Sequence, residues 1–191
     1  MKEILVRQLM VPLREYATVH QDATLYEAVI SLKEAQERYV KQSGSKYPHR
    51  AVLVVDDEHK VVGKLSQLDI LMALEPKYKE ILRKTSGAFL EASALSGDIM
   101  KKVMEDFLLF EEPLKDICKI AFELKVKDCM YSPKSGEYVE EDENLAHALY
   151  KFIAGRHQSL LVLKGDEITG ILRLTDVFEF ISQEIITCKN I

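Results

Sequence analysis

The 191-residue sequence predicts an α/β (α+β) fold in which two β-α-β-β-α copies pack as one pseudo-symmetric module, with a helical segment inserted between them. The first observation behind this is a repeat, which decides architecture before any single element does. Sliding the chain by 120 positions lays Met10, Val19, Asp22, Leu25 and Ala28 on Met130, Val139, Asp142, Leu145 and Ala148, with Thr24 against Asn144. The second is a change of offset: a slide of about 107 lays Gly63, Leu65 and Asp69 on Gly170, Leu172 and Asp176, and His49 meets His157 one residue out of step. The difference locates extra residues in the first copy near 41–48. The third is that both copies carry the same helix and hairpin signals at matching places.

In the first copy, residues 1–74, Thr24 with Glu27 three residues later is a capping box, and Leu25, Ala28, Val29, Leu32 and Ala35 recur at helical spacing. RAVLVVD (50–56), a turn through DDEHK and VVGKLS (61–66) read as a hairpin whose first strand is buried on both faces, and a last helix begins near Leu68. In the second copy, residues 126–191, Asn144 caps a helix carried by Leu145, Ala148, Leu149, Phe152 and Ile153, and Gly155 ends it. SLLVLKGDEITGILR forms the hairpin, and Leu174, Val177, Phe178, Ile181 and Ile185 make the closing helical stripe. Residues 75–125 belong to neither copy. Pro76, Pro113 and Asp98 suit helix starts, and two stripes, Ile99, Val103, Phe107 and Leu114, Ile117, Ala121, Leu124, predict two or three amphipathic helices.

Composition bounds the function. With 26 Lys plus Arg against 31 Asp plus Glu, the net charge of −5 opposes broad binding to nucleic-acid backbones or anionic membranes. Residues 1–74 are balanced, ten bases against ten acids, while residues 126–191 carry seven against eleven. No stretch approaches the roughly eighteen apolar residues of a membrane span, and the opening MKEILVRQLMVPL has no secretory core, so a cytoplasmic protein is expected. The three cysteines form no C-x-x-C pair and are expected to be small buried apolar residues.

Q-L-M-V-P (8–12) and D-C-M-Y-S-P (128–133) open the copies, and G-x-x-x-x-x-D closes both hairpins. This order and repetition resembles tandem cystathionine-β-synthase (CBS) domains over residues 4–74 and 126–186. The resemblance implies a disc-like, usually dimeric module whose clefts bind adenosine-containing ligands: AMP, ADP, ATP or S-adenosylmethionine. Residues 63–69, G-K-L-S-Q-L-D, match the family's ligand signature from Gly63 to Asp69. A hydroxyl such as Ser66, at a strand end beside a helix N-terminus, donates to a phosphate oxygen, and a carboxylate one turn on, Asp69, accepts from a ribose diol. By the same resemblance Thr18 borders the adenine and His49, Arg50 and Val52 line the first cleft. Ser66 and Asp69 are equally suited to cap the helix they precede. In the second copy Tyr138, His157, Arg173 and Asp176 occupy the corresponding places, but G-I-L-R-L-T-D puts Arg173 where Ser or Thr belongs. Arg173 either grips a phosphate or fills the second cleft and pairs with Asp176.

No H-E-x-x-H, G-x-S-x-G or G-x-G motif is present, and Gly165 to Gly170 lacks the Lys and Ser or Thr of a phosphate loop, so no enzyme is expected. DDEH (56–59) reads as a polar turn, not a metal site. Asp22 and Asp142 read as turn or cap residues. The apolar run EDFLLFEEPL (105–114) suits packing on the protein's own core or a homodimer interface, or else docking of an effector protein on residues 75–125. The expected function is a non-catalytic nucleotide sensor in signal transduction; the alternative is a ligand-free dimeric scaffold that presents the insert to a partner.

Overall fold

The structure, a computed structural model, describes residues 3–43, 48–75 and 114–188. The expectations for the run at 105–114 and for the helices before Leu114 therefore lie outside the described residues. Each repeat is built from a parallel pair and a hairpin. In the first, β2 (Thr18–His20) runs parallel to β3 (Ala51–Val55), which pairs antiparallel with β4 (Val61–Ser66). In the second, β5 (Tyr138–Glu140) runs parallel to β6 (Ser159–Lys164), which pairs antiparallel with β7 (Glu167–Arg173). The helices among the described residues are α1 (Leu25–Ser43), α2 (Gln67–Ala73), α3 (Leu114–Glu123), α4 (Leu145–Gly155) and α5 (Leu174–Thr187).

Local chemistry starts the helices where the sequence signals them. At α1, Thr24 N–H donates to Glu27 Oε2 at 2.6 Å and Glu27 N–H returns to Thr24 Oγ1 at 3.2 Å. Those Thr24 bonds hold the Glu27 carboxyl below its ordinary range. At α4, Asn144 Oδ1 accepts from His147 N–H at 3.1 Å. The DDEHK segment is a turn closed by Asp56, whose Oδ1 accepts from the backbone of Glu58 and Lys60, both at 2.9 Å.

The repeats exchange their openings. β1 (Val11–Pro12), from the first copy, pairs antiparallel with β7 of the second through Val11 and Ile171. Tyr131, from the second copy, pairs antiparallel with Lys64 in β4 of the first, with N–H to O distances of 2.9 and 2.8 Å. The same exchange appears at Leu5 with Asn144 and Thr24 with Lys125. Ile4, Val6, Leu9 and Met10 consequently pack in the second repeat's core beside Leu145, Leu160 and Leu172, while Leu124, Val126 and Met130 pack in the first beside Leu25, Val52 and Leu65. A third cluster, Val11, Tyr16, Leu53, Leu161 and Ile171, joins the two sheets. Exposed ion pairs repeat the symmetry: Lys127 Nζ meets Asp22 at 2.7 Å, and Arg7 meets Asp142.

Several details differ from the sequence reading. α4 does end at Gly155, but the left-handed residue that caps it is the next one, Arg156 (φ 51°), and the Cβ position of Gly155 is taken by the His157 ring. The chain turns sharply enough there for His157 to fold back, and only a hydrogen at Gly155 fits beneath it. Cys118 and Cys188 are exposed, and Cys129 is half-buried at the edge of the first repeat's core. The buried face of α5 is rotated toward Val177 and Phe180, leaving Phe178 (64%) and Ile185 (65%) exposed.

Candidate functional site

A cleft of about 420 Å³ opens between the repeats and draws on both. β4 delivers Lys64 and Ser66, α2 delivers Asp69, and the segment leading into β3 delivers Arg50. From the second repeat come Tyr131, Glu137, the Arg156 to Ser159 stretch and Arg173.

Ser66 and Asp69 form a reciprocal cap on α2. Ser66 Oγ donates to Asp69 Oδ2 at 2.6 Å, Ser66 N–H donates to the same oxygen at 2.8 Å, and Asp69 N–H donates to Ser66 Oγ at 3.2 Å. Both bonds that the carboxylate accepts use Oδ2, so among the described residues Asp69 Oδ1 carries no hydrogen bond. The helix cap and the cleft lining therefore share one carboxylate, and the cap leaves its Oδ1 unused.

Lys64 and Glu137 tie the repeats together at the cleft. Lys64 Nζ donates to Glu137 Oε2 at 2.6 Å, Tyr131 O–H donates to Oε1 at 2.5 Å, and Lys134 N–H reaches Oε1 at 3.3 Å. Burial pushes the Glu137 carboxyl up, but these donors outweigh it and hold the group below its ordinary range. The Glu137 bond, with burial behind it, pushes the Tyr131 hydroxyl up to about 12. Arg50 and Arg156 are exposed at the cleft and have no carboxylate in salt-bridge range among the described residues. Basic groups thus outnumber carboxylates around the opening, and the field favours an anion.

Arg173 is 4% exposed and held on several sides. Its Nε and Nη2 each lie 2.5 Å from an oxygen of Asp176, Nη2 donates to the Tyr39 hydroxyl at 2.9 Å, and Nη1 lies 3.3 Å from His49 Nδ1. The guanidinium also covers the Tyr39 ring at 4.9 Å. His49 is fully buried between Tyr16 and Tyr39, each with ring centroids 4.4 Å away. Burial first, and Arg173 second, push its imidazole down to about 4, with the Glu15 backbone carbonyl pulling weakly the other way. Arg173 can only donate, so Nδ1 accepts and the ring proton sits on Nε2, which makes no hydrogen bond of normal geometry among the described residues. Burial likewise pushes the neighbouring Tyr16 hydroxyl up to about 12.

Of the residues singled out from the sequence, Ser66, Asp69 and Arg50 share this cleft with Arg173 and His157. Gly63 lies where the second repeat's opening crosses β4: a Cβ there would stand 2.6 Å from Met130 Sδ. Val52 is core, and Thr18 is exposed in β2 opposite Leu53. Tyr138 packs against the inter-repeat cluster, and Asp176 is turned to Arg173. Sequence reasoning missed Tyr16, Lys64, Tyr131, Glu137 and Arg156. The signal available for Arg156 was its place beside Gly155 at the end of a helix, and for Tyr131 its place in the D-C-M-Y-S-P opening.

A family profile described as CBS domain matches residues 6–76 and 126–183. Among solved structures, a CBS-domain-containing protein from Bacillus anthracis is 18% identical with a TM-score of 0.61, covering 95% of each chain. CBSX2 from Arabidopsis thaliana, a CBS-pair protein, is 17% identical with a TM-score of 0.58, covering 94% of this chain and 95% of that one, and CBSX2 has also been solved in complex with AMP. The chain spans 60% of the length of protein MJ1004 from Methanocaldococcus jannaschii, at 18% identity, TM-score 0.56 and 94% coverage of this chain. No curated protein matches. No group of three or more potential metal ligands exists among the described residues, and no helix among them is long and apolar enough to cross a membrane.

Proposed function

This chain belongs to the CBS-domain family, and from that premise we propose that it is a non-catalytic regulatory module that binds an adenine nucleotide in the cleft between its repeats. The observation that carries the reading is the juxtaposition of Ser66 and Asp69 Oδ1 with Arg50 and Arg156, cations that have no carboxylate in salt-bridge range among the described residues. An oxygen able to accept from a ribose hydroxyl lies in the same cleft as guanidinium groups able to hold phosphate. The AMP complex of CBSX2 supports an adenine ligand, and ADP, ATP and S-adenosylmethionine carry the same adenosine. In this reading the protein works in the cytoplasm as a homodimer and signals by differential binding: one ligand favours one arrangement of the repeats and so alters what residues 75–125 offer an effector.

A second reading, a ligand-free scaffold, draws on one specific observation: Ser66 and Asp69 satisfy each other as a helix cap. A thermal-shift panel separates the two. At about 100 times its Kd, a bound nucleotide adds roughly 2.7 kcal/mol, a rise of about 5–10 °C for a chain of this size. A melting point unmoved by AMP, ADP, ATP and S-adenosylmethionine favours the scaffold.

A further inference from the structure

We propose that Arg173 is a built-in occupant of the second repeat's ligand position, so that the module holds one nucleotide per chain and not two. The inference rests on the nucleotide reading above and concerns how many sites the fold leaves open.

Strand register fixes the equivalence. Ser66 stands opposite Ala51 across β3 and β4, and Arg173 stands opposite Ser159 across β6 and β7. Asp69 and Asp176 follow three residues later in the first turns of α2 and α5. Two residues before Ala51 and Ser159 lie His49 and His157, which makes these histidines equivalent as well. His157 lines the cleft that holds Ser66 and Asp69. The pseudo-twofold therefore puts the second ligand position at His49, Arg173 and Asp176.

The two positions are chemically opposite. Asp69, which lines the cleft, uses one carboxylate oxygen in its cap, and the other carries no hydrogen bond among the described residues. Both oxygens of Asp176 are taken by the Arg173 fork. The same guanidinium covers the Tyr39 ring, donates to its hydroxyl and meets His49 Nδ1. Arg173 thus saturates the carboxylate that would accept a ribose diol and supplies the cation that a phosphate would otherwise seek. A ligand entering here would have to separate a buried bidentate ion pair, leaving a charge without its partner.

Replacing Arg173 by Ser restores the Ser-x-x-Asp spacing of the first repeat, which gives Asp176 the cap partner that Asp69 has; Arg173→Thr is the second variant. Calorimetry with AMP is expected to give one site per chain for the wild type and two for Arg173→Ser or Arg173→Thr. Diethylpyrocarbonate labelling read by mass spectrometry is expected to leave His49 unmodified in the wild type and to modify it in the folded variants. Two AMP sites in the wild type overturn the proposal, as do folded variants that keep one site and an unmodified His49. If neither wild type nor variant binds AMP, the nucleotide reading fails by itself and the labelling alone decides: an exposed His49 in the variants supports the plug, and a protected one overturns it.

Discussion

Lys64 of the first repeat and Glu137 of the second form a buried ion pair across the module, Nζ to Oε2 2.6 Å, with side chains only 17% and 4% exposed. Such a pair brings modest net stability when intact but is costly to break from one side, because the surviving charge stays buried. Glu137→Leu is expected to lower the unfolding free energy by about 3–5 kcal/mol in urea titrations. The double variant Lys64→Met/Glu137→Leu is expected to recover most of that loss. A double variant no more stable than the single one would mean that Glu137 acts through Tyr131 and not through Lys64.

The glycines of the repeat motif are explained by the exchanged openings. A Cβ on Gly170 would lie 2.5 Å from the Val11 carbonyl oxygen, while one on Gly63 would meet the Met130 thioether at 2.6 Å. Backbone cannot swing aside as a methionine can. Gly170→Ala is therefore expected to cost about 2–3 kcal/mol and Gly63→Ala about 1 kcal/mol, measured by chemical denaturation. Equal costs would contradict the asymmetry.

His49 gives the fold a pH dependence of definite sign. Its ordinary value is 6.5 and burial lowers it to about 4, so between these values the unfolded chain binds a proton that the native protein refuses. Stability is expected to fall as pH drops through this window, by about 3 kcal/mol at most, and to be independent of His49 above it. His49→Gln should flatten the wild-type slope between pH 6.5 and 4. An unchanged slope would assign the effect to other groups.

Ser66 is expected to contribute to stability whether or not anything is bound. Ser66→Ala removes the acceptor for Asp69 N–H and should cost about 1 kcal/mol in the absence of nucleotide. A neutral substitution would mean that the Ser66 and Asp69 bonds do not hold the start of α2.

The repeat, the caps at Thr24, Ser66 and Asn144 and the hairpins were all legible in the sequence, because each rests on local spacing: a side chain three residues from the group it bonds, or alternation along one strand. The exchange of openings was not. Nothing in Leu9, Met10 or Val11 says which of two nearly equivalent sheets they join, since either copy offers the same glycine and the same apolar floor. The cleft was legible only by halves for the same reason. Ser66 and Asp69 declare themselves within seven residues, but Arg156 and His157 reach them only through tertiary packing of the other repeat. Arg173 presented two uses in the sequence. The structure shows it bonded to Asp176 at the edge of the shared cleft.

Adenine-nucleotide binding in the cleft at Ser66 and Asp69 is decided by isothermal calorimetry of AMP, ADP, ATP and S-adenosylmethionine against the wild type and Asp69→Ala. Saturable binding of at least one of these ligands to the wild type, weakened at least about tenfold in the variant by loss of a charged acceptor, is the predicted result. Absence of binding to the wild type, or equal binding by Asp69→Ala, would contradict it.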